Sequence, residues 1–346
     1  MVPDRRMNSA AIRILIVDRD AKYREWLRLH LGILYPQATI GTLEPGADDG
    51  LGALSTGRAC EALVLTADFG SSGEEEQEPP GIKQVQILRA SDAAPVLLVH
   101  GEPTWSYLWR KVIPPLREAG HRCIAPDLIG FGGSDKPTDI SFYTYDRLCA
   151  SLGALVEALD LQGATIVVHD WGGPIGLRVA VEHAERFARI VIMDTGLFTG
   201  RQRMSEAWLA FRDFVARTED LPIGLLVARG CASEPPAEVV AAYEAPFPSP
   251  AAKAGARALP LLIPLSEDAP GAAAGLAVLE ALRADARPKL LLWADSDPVL
   301  PAATGEAFAQ ALGLDPPLPI AGAGHFLQED RGEEIGQRIA AWLHAH

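Results

Sequence analysis

Asp170 stands in the run His169-Asp170-Trp171-Gly172-Gly173, directly after the apolar stretch Ala164 to Val168 and before the helix-like segment Ile175 to Val181. A carboxylate on a sharp strand-to-helix turn, with small residues beside it to fit a strained backbone, is placed as a nucleophile. Such a group forms an ester with carbon, which suits displacement at an sp³ centre, a carbon–halogen bond or an epoxide, rather than peptide cleavage. The plain alternative is a turn aspartate in front of a glycine pair. Three further runs weigh against it. His100-Gly101-Glu102-Pro103 follows an apolar run, where a backbone N–H must help hold an oxyanion, and the N–H groups of Glu102 and Trp171 are the candidates. Ala323-Gly324-His325-Phe326 supplies an imidazole to activate water, so His325 is the expected general base. Asp295-Ser296-Asp297-Pro298 follows the run Lys289 to Trp293 and puts Asp297 where it can hold that imidazole in one tautomer. His169 reads as a packed neighbour of the turn.

These groups need a scaffold that brings distant segments to one edge. From Pro95 onward the short apolar runs Pro95 to Val99, Arg122 to Ala125, Ala164 to Val168, Ile190 to Met193 and Lys289 to Trp293 alternate with helix-length segments. Alternation of this kind predicts an α/β fold with a doubly wound, mostly parallel sheet. The chain order nucleophile, acid, histidine is that of the α/β-hydrolase type, with the chemistry on loops at one sheet edge. Between about 197 and 283 the alternation stops and helix-like pieces rich in Ala, Pro and Leu take over, as expected of a helical cap inserted above that edge. The chain divides into a segment over 1–94, with an acidic, glycine-rich linker at Gly70 to Gly81, and a hydrolase domain over 95–346.

Bulk composition narrows the function classes. A formal charge of -14 argues against nucleic acid or an anionic membrane surface as partner. No apolar run reaches the ~18 residues that a membrane helix needs. Met1 to Ala11 lacks the apolar core of a secretory leader, so a cytoplasmic protein is expected. Cys60, Cys123, Cys149 and Cys231 are scattered without C-x-x-C spacing, which fits neither a zinc site nor a disulfide framework. Neither metal nor organic cofactor is expected.

The sequence resembles the haloalkane dehalogenases, in particular the branch with H-G-E-P-T-W, here His100 to Trp105. The likeness continues through Ala125 to Gly132, Ser134 to Pro137, the Asp170 turn, the cap run Tyr243 to Pro248 and Gly322 to Asp330. The resemblance implies hydrolysis of small apolar halogenated substrates to alcohol and halide through an alkyl ester on Asp170. In that family two side-chain N–H donors cradle the departing halide, since a buried halide without donors carries a large desolvation penalty. The first matches Trp171. The second, a cap tryptophan in this branch, falls on Trp208, whose alternative is an ordinary packing aromatic. Phe211 and Pro246 are expected to line the same pocket, with plain packing an equal reading for Phe211. Asp194 follows the run Ile190 to Met193, where another branch carries its acid, so two carboxylates compete for His325; Asp297 is favoured and Asp194 reads as a turn or cap residue.

Ile12 to about Val99 resembles a degenerate response-regulator receiver module, with Asp18 after a first strand and Gly81 to Leu88 as a helix. Arg19 interrupts the acidic pair that such a module needs, and Asp68 is displaced by one position. The alternative is that these strands replace the first strands of the hydrolase sheet. Two rivals follow. One is an epoxide hydrolase, which shares the Asp turn but uses two cap tyrosines where this cap offers only Tyr243. The other is a non-enzymatic signalling or interaction protein built on the receiver-like part.

Overall fold

The computed structural model describes residues 94–346 together with the strands β1 (Arg13–Val17), β2 (Thr39–Leu43), β3 (Ala62–Thr66) and β4 (Gln84–Leu88). The linker Gly70 to Gly81, and Asp18, Arg19 and Asp68 lie outside the described residues. Six more strands follow: β5 (Val96–Val99), β6 (Cys123–Pro126), β7 (Ala164–His169), β8 (Phe187–Met193), β9 (Lys289–Ala294) and β10 (Leu318–Ile320). All ten form one sheet in the order β10-β9-β8-β7-β5-β6-β4-β3-β1-β2. From β10 to β6 every pairing is parallel, and β5 to β9 fall on the expected apolar runs. This is the α/β-hydrolase arrangement. Its middle strands read as continuous apolar runs because both faces are covered, and β5, β6 and β7 are buried at every position.

One expectation is corrected here. Gln84–Leu88 is a strand and not part of a helix; it pairs antiparallel with β6, placing Ile87 opposite Ile124, and antiparallel with β3. Its sequence alternates polar Gln84 and Gln86 with apolar Val85 and Ile87, which is the period of a strand.

The main helices are α1 (Ile113–Glu118), α2 (Tyr145–Ala158), α3 (Gly172–Glu182), four cap helices, then α8 (Ala272–Ala284), α9 (Ala302–Leu312) and α10 (Leu327–Ala345). They form two packed groups, α1 with α10, and α2, α3, α8 and α9 in succession. The cap helices between β8 and α8 are α4 (Glu206–Arg217), α5 (Ile223–Gly230), α6 (Ala237–Glu244) and α7 (Ala254–Leu262); α4 packs on α7 and α5 on α6. Ser205 starts α4 by accepting the Trp208 N–H at 3.1 Å, which fixes Trp208 in the first turn. Lys253 staples the cap internally, its ammonium reaching Asp220, Glu244 and the Leu221 carbonyl. Among the described residues no helix is long and apolar enough to cross a membrane.

Candidate active site

Asp170 follows β7 with a left-handed φ of 49°, a conformation that a non-glycine residue adopts only where its surroundings enforce it. The enforcement is visible. The Asp170 N–H donates to the Asp194 carbonyl at 3.2 Å, the Asp170 carbonyl accepts from Thr195 Oγ1 at 2.5 Å, and Gly173 N–H returns to the same carbonyl at 2.8 Å. A side chain on Gly173 would put Cβ 1.8 Å from Thr195 Oγ1, so the helix start can approach β8 only with glycine there.

The Asp170 carboxylate points back over the loop after β5. Its Oδ1 accepts the Glu102 N–H at 2.7 Å, and the Trp171 N–H is a second hydrogen-bond donor to the same carboxylate. Gly101 makes room: a Cβ there would stand 2.3 Å from Asp170 Oδ1 and 2.7 Å from the Trp171 nitrogen. His100 sets the loop. Its Nδ1–H donates to the Gly101 carbonyl and its Nε2 accepts the Leu128 N–H, both at 2.9 Å. That arrangement requires a neutral ring, and burial lowers the His100 pKa to about 4.

On the other side of Asp170, His325 Nε2 lies 3.4 Å from Oδ2, while its Nδ1–H donates to Asp297 Oδ2 at 2.8 Å. Asp297 is held in turn: its Oδ1 accepts the N–H groups of Val299 at 2.6 Å and Leu300 at 2.9 Å. Burial raises the cost of both carboxylates, yet the His325 imidazole between them outweighs it and holds Asp170 and Asp297 below their ordinary values. Burial alone would lower the His325 pKa; the charge of Asp297, then the hydrogen bonds to Asp170 and Asp297, reverse this and raise it well above 6.5. The two flanking carboxylates thus favour the charged form of the ring over the neutral one. Glu102 differs. Burial, then the Asp170 charge, pushes its carboxyl well above the usual range.

His169 does more than pack. Its Nε2–H donates to the His325 carbonyl at 2.8 Å, tying the end of β7 to the histidine loop. Burial, reinforced by the His325 charge, lowers its pKa to about 4 and keeps the ring neutral. Only its position next to Asp170 hinted at this role. Asp330 adds a second tie: its carboxylate accepts the N–H groups of Gly324, Ala232 and Ser233, which joins the histidine loop to the cap.

Above Asp170 lies a cavity of about 500 Å³, predominantly apolar in its lining. Asp170, His325, Glu102, Trp171, Trp208 and Phe211 all border it. Pro246 does not. It is buried between α6 and the Ser249 turn, away from the cavity, which corrects the expectation that it lines the pocket. The wall that the sequence left unassigned includes Phe198, Met204, Phe214, Leu226 and Ile263. Neither the Trp171 nor the Trp208 indole N–H has an acceptor among the described residues. Tyr243 is buried, donates to Glu329, and is not part of the cavity lining, so the cap presents no phenol to protonate an opening epoxide. Cys123, Cys149 and Cys231 are free thiols, and Cys60 lies outside the described residues.

Comparison with known proteins agrees with this geometry. A family model described as alpha/beta hydrolase fold matches residues 94–229. A haloalkane dehalogenase of Mycobacterium marinum is 45% identical over 253 residues, covering 73% of this chain and 85% of that protein. One from Psychrobacter cryohalolentis is 39% identical over 264 residues, covering 73% and 84%. Among solved structures, the tetrameric haloalkane dehalogenase DpaA from Paraglaciecola agarilytica superposes with a TM-score of 0.69 at 31% identity, covering 80% of this chain and 97% of that one. Haloalkane dehalogenase DbeA from Bradyrhizobium elkani gives 0.66 at 28%, covering 76% and 94%.

Proposed function

This chain belongs to the haloalkane dehalogenase family and carries out hydrolytic dehalogenation, and on that premise we propose how its residues divide the reaction. The carrying observation is the Asp170 carboxylate, with Oδ1 held by the Glu102 N–H and Oδ2 beside His325, opening on an apolar cavity bordered by two indoles. Asp170 Oδ2 attacks the halogen-bearing carbon in line. The C–O bond forms as the carbon–halogen bond breaks, and the halide leaves with the bonding pair toward the Trp171 and Trp208 N–H groups. Charge on the halide develops only as the bond breaks, so these donors favour the transition state over the bound substrate.

Esterification removes the Asp170 charge, one of the two that hold the proton on His325, and the imidazolium gives that proton up to solvent. The neutral imidazole, oriented by Asp297, then takes a proton from water as the water oxygen attacks the ester carbonyl carbon. The negative charge gathers on Oδ1, where the Glu102 and Trp171 N–H groups already point. Collapse breaks the bond between the ester carbonyl carbon and the alkyl oxygen, His325 hands the proton it took from water to that oxygen, and alcohol leaves as the carboxylate is restored. The substrates that fit are small, apolar haloalkanes, because the lining gives little compensation for burying a polar group.

Residues 1–94 read best as an accessory segment that completes the sheet. Support comes from the continuity of β4 with β6 and of β3 with β4, which joins this segment to the hydrolase sheet.

The test is halide release from 1,2-dibromoethane or 1-bromobutane by the purified protein, together with mass spectrometry of His325→Gln after exposure to substrate. An alkyl adduct on the peptide containing Asp170 is expected. An adduct on any other peptide, or halide release by Asp170→Asn with deamidation excluded, overturns the assignment.

A further inference from the structure

Behind the His325–Asp297 pair lies a second carboxyl group that the reaction above leaves unused. Asp194 follows β8 with a left-handed φ of 34° and is fully buried. Its two carboxyl oxygens each lie 3.2 Å from the Ala294 N–H at the end of β9, its carbonyl receives the Asp170 N–H, and its side chain is hydrogen-bonded to that of Asp297. The titratable groups gathered here are Asp194 after β8, Asp170 and His169 from the end of β7, Asp297 from the turn after β9, His325 from the histidine loop, and Glu102 from the loop after β5, beside Asp170. Among the described residues no lysine or arginine is ion-paired with Asp194, Asp297 or Asp170, so His325 is the sole cation for three carboxyl groups.

Two carboxylates in contact inside a protein repel each other, and a hydrogen bond between them requires that one keep its proton. Asp297 has the imidazolium and two backbone N–H groups to stabilise a negative charge, whereas Asp194 has one backbone N–H. The proton therefore belongs on Asp194, in accord with the burial and Asp297 charge that hold its carboxyl well above the usual range.

We propose that Asp194 is a positioning residue: a carboxylic acid that donates its proton in a hydrogen bond to Asp297 and thereby limits how tightly Asp297 holds the proton on His325. The inference rests on the assignment of His325 and Asp297 given above. Its value to the reaction lies in the second half. After the ester forms, His325 must be neutral to take a proton from water, and an Asp297 without a donor would keep it charged to higher pH. The Asp194 hydrogen bond withdraws part of the Asp297 charge and frees the imidazole near neutral pH.

Two measurements on the full chain test this. The first is the pH profile of ester hydrolysis in single turnover. Asp194→Leu removes the donor at similar size and is expected to move the rising limb upward by about one pH unit, which is roughly tenfold in rate below the limb, with the alkylation burst little changed. Asp194→Asn keeps an N–H donor and should return the limb to its parent position. A limb that stays put in Asp194→Leu, or moves alike in both variants, overturns the proposal, since the first leaves Asp194 as a turn residue and the second makes its charge the operative feature. The second is the infrared spectrum of the resting protein, which needs no turnover and stands if the triad assignment fails. A protonated-carboxyl C=O band that shifts in heavy water should vanish in Asp194→Asn, with the band of Glu102 identified separately through Glu102→Gln. Persistence of every such band in Asp194→Asn overturns the proposal.

Discussion

The ring of His169 and the backbone of His325 are joined by a single hydrogen bond, 2.8 Å from Nε2 to the carbonyl oxygen, across a sequence separation of 156 residues. The residue before the nucleophile thus fixes the height of the loop that carries the base. His169→Leu keeps the apolar volume and leaves a buried carbonyl without its donor. A loss of about 1–3 kcal/mol in unfolding free energy is expected. Ester hydrolysis should slow more than alkylation, because only the former needs His325 in register. Equal slowing of both steps in a single-turnover experiment would remove the positioning role.

Trp208 and Trp171 face a common cavity from different elements, one from the cap and one from the nucleophile turn. If both indoles donate to the leaving halide, Trp208→Phe loses ~2–4 kcal/mol of transition-state stabilisation, or roughly one to three orders of magnitude in rate. Bromide quenching of indole fluorescence should weaken alongside. Parent-like turnover and bromide binding in Trp208→Phe, with loss of both in Trp171→Phe, would assign Trp208 to packing and send the search for the second donor elsewhere in the cap.

Gly101→Ala tests the oxyanion geometry directly. The added methyl meets the nucleophile carboxylate and the Trp171 nitrogen, not a flexible side chain, so backbone must move. Displacing donors aimed at the developing oxyanion should lower kcat by about 10²-fold or more. Overpacking should cost a further ~1–3 kcal/mol in stability, read by denaturant titration.

The pH dependence has opposite signs for chemistry and for folding. Burial works against the His325 charge, but Asp297 and Asp170 together raise its pKa well above 6.5. Ester hydrolysis requires the neutral ring, so its rate should climb about tenfold per unit as pH rises and level off above the His325 pKa of the ester state, which lies below the resting one because Asp170 no longer carries a charge. The same raised value means that imidazolium pairing stabilises the folded state fully below 6.5 and is lost as pH rises through the folded value. A thermal-melt series from pH 6 upward should show this decline in the parent, and a flatter course in His325→Gln.

The site was largely legible because its chemistry is local. Asp170, Glu102 and Asp297 each sit within a few residues of an apolar strand, His325 stands out by its Ala-Gly-His-Phe run, and the strand ends of a parallel sheet converge at one edge without further information. The cap was not legible in the same way. Which side of a helix faces the cavity depends on how the cap sits on the sheet, and so Phe211 reached the lining while Pro246 did not. Strand β10 carries Pro319 and is exposed at Leu318, which leaves little apolar signal in three residues. Gln84–Leu88 was misread because a strand is stabilised by its partner, here β6 beyond a whole βα unit, while a receiver-like outline drew the segment toward a helix.

The pairing of β4 with β6 also bears on how the protein can be handled. A fragment cut to begin at residue 94, where the family match starts, would leave one side of β6 with its N–H and C=O groups unpaired. Cys123 to Pro126 is buried along its length, so the uncovered edge would be apolar and open to pairing with another copy of itself. Such a fragment should therefore self-associate or precipitate with every catalytic group still in its chain.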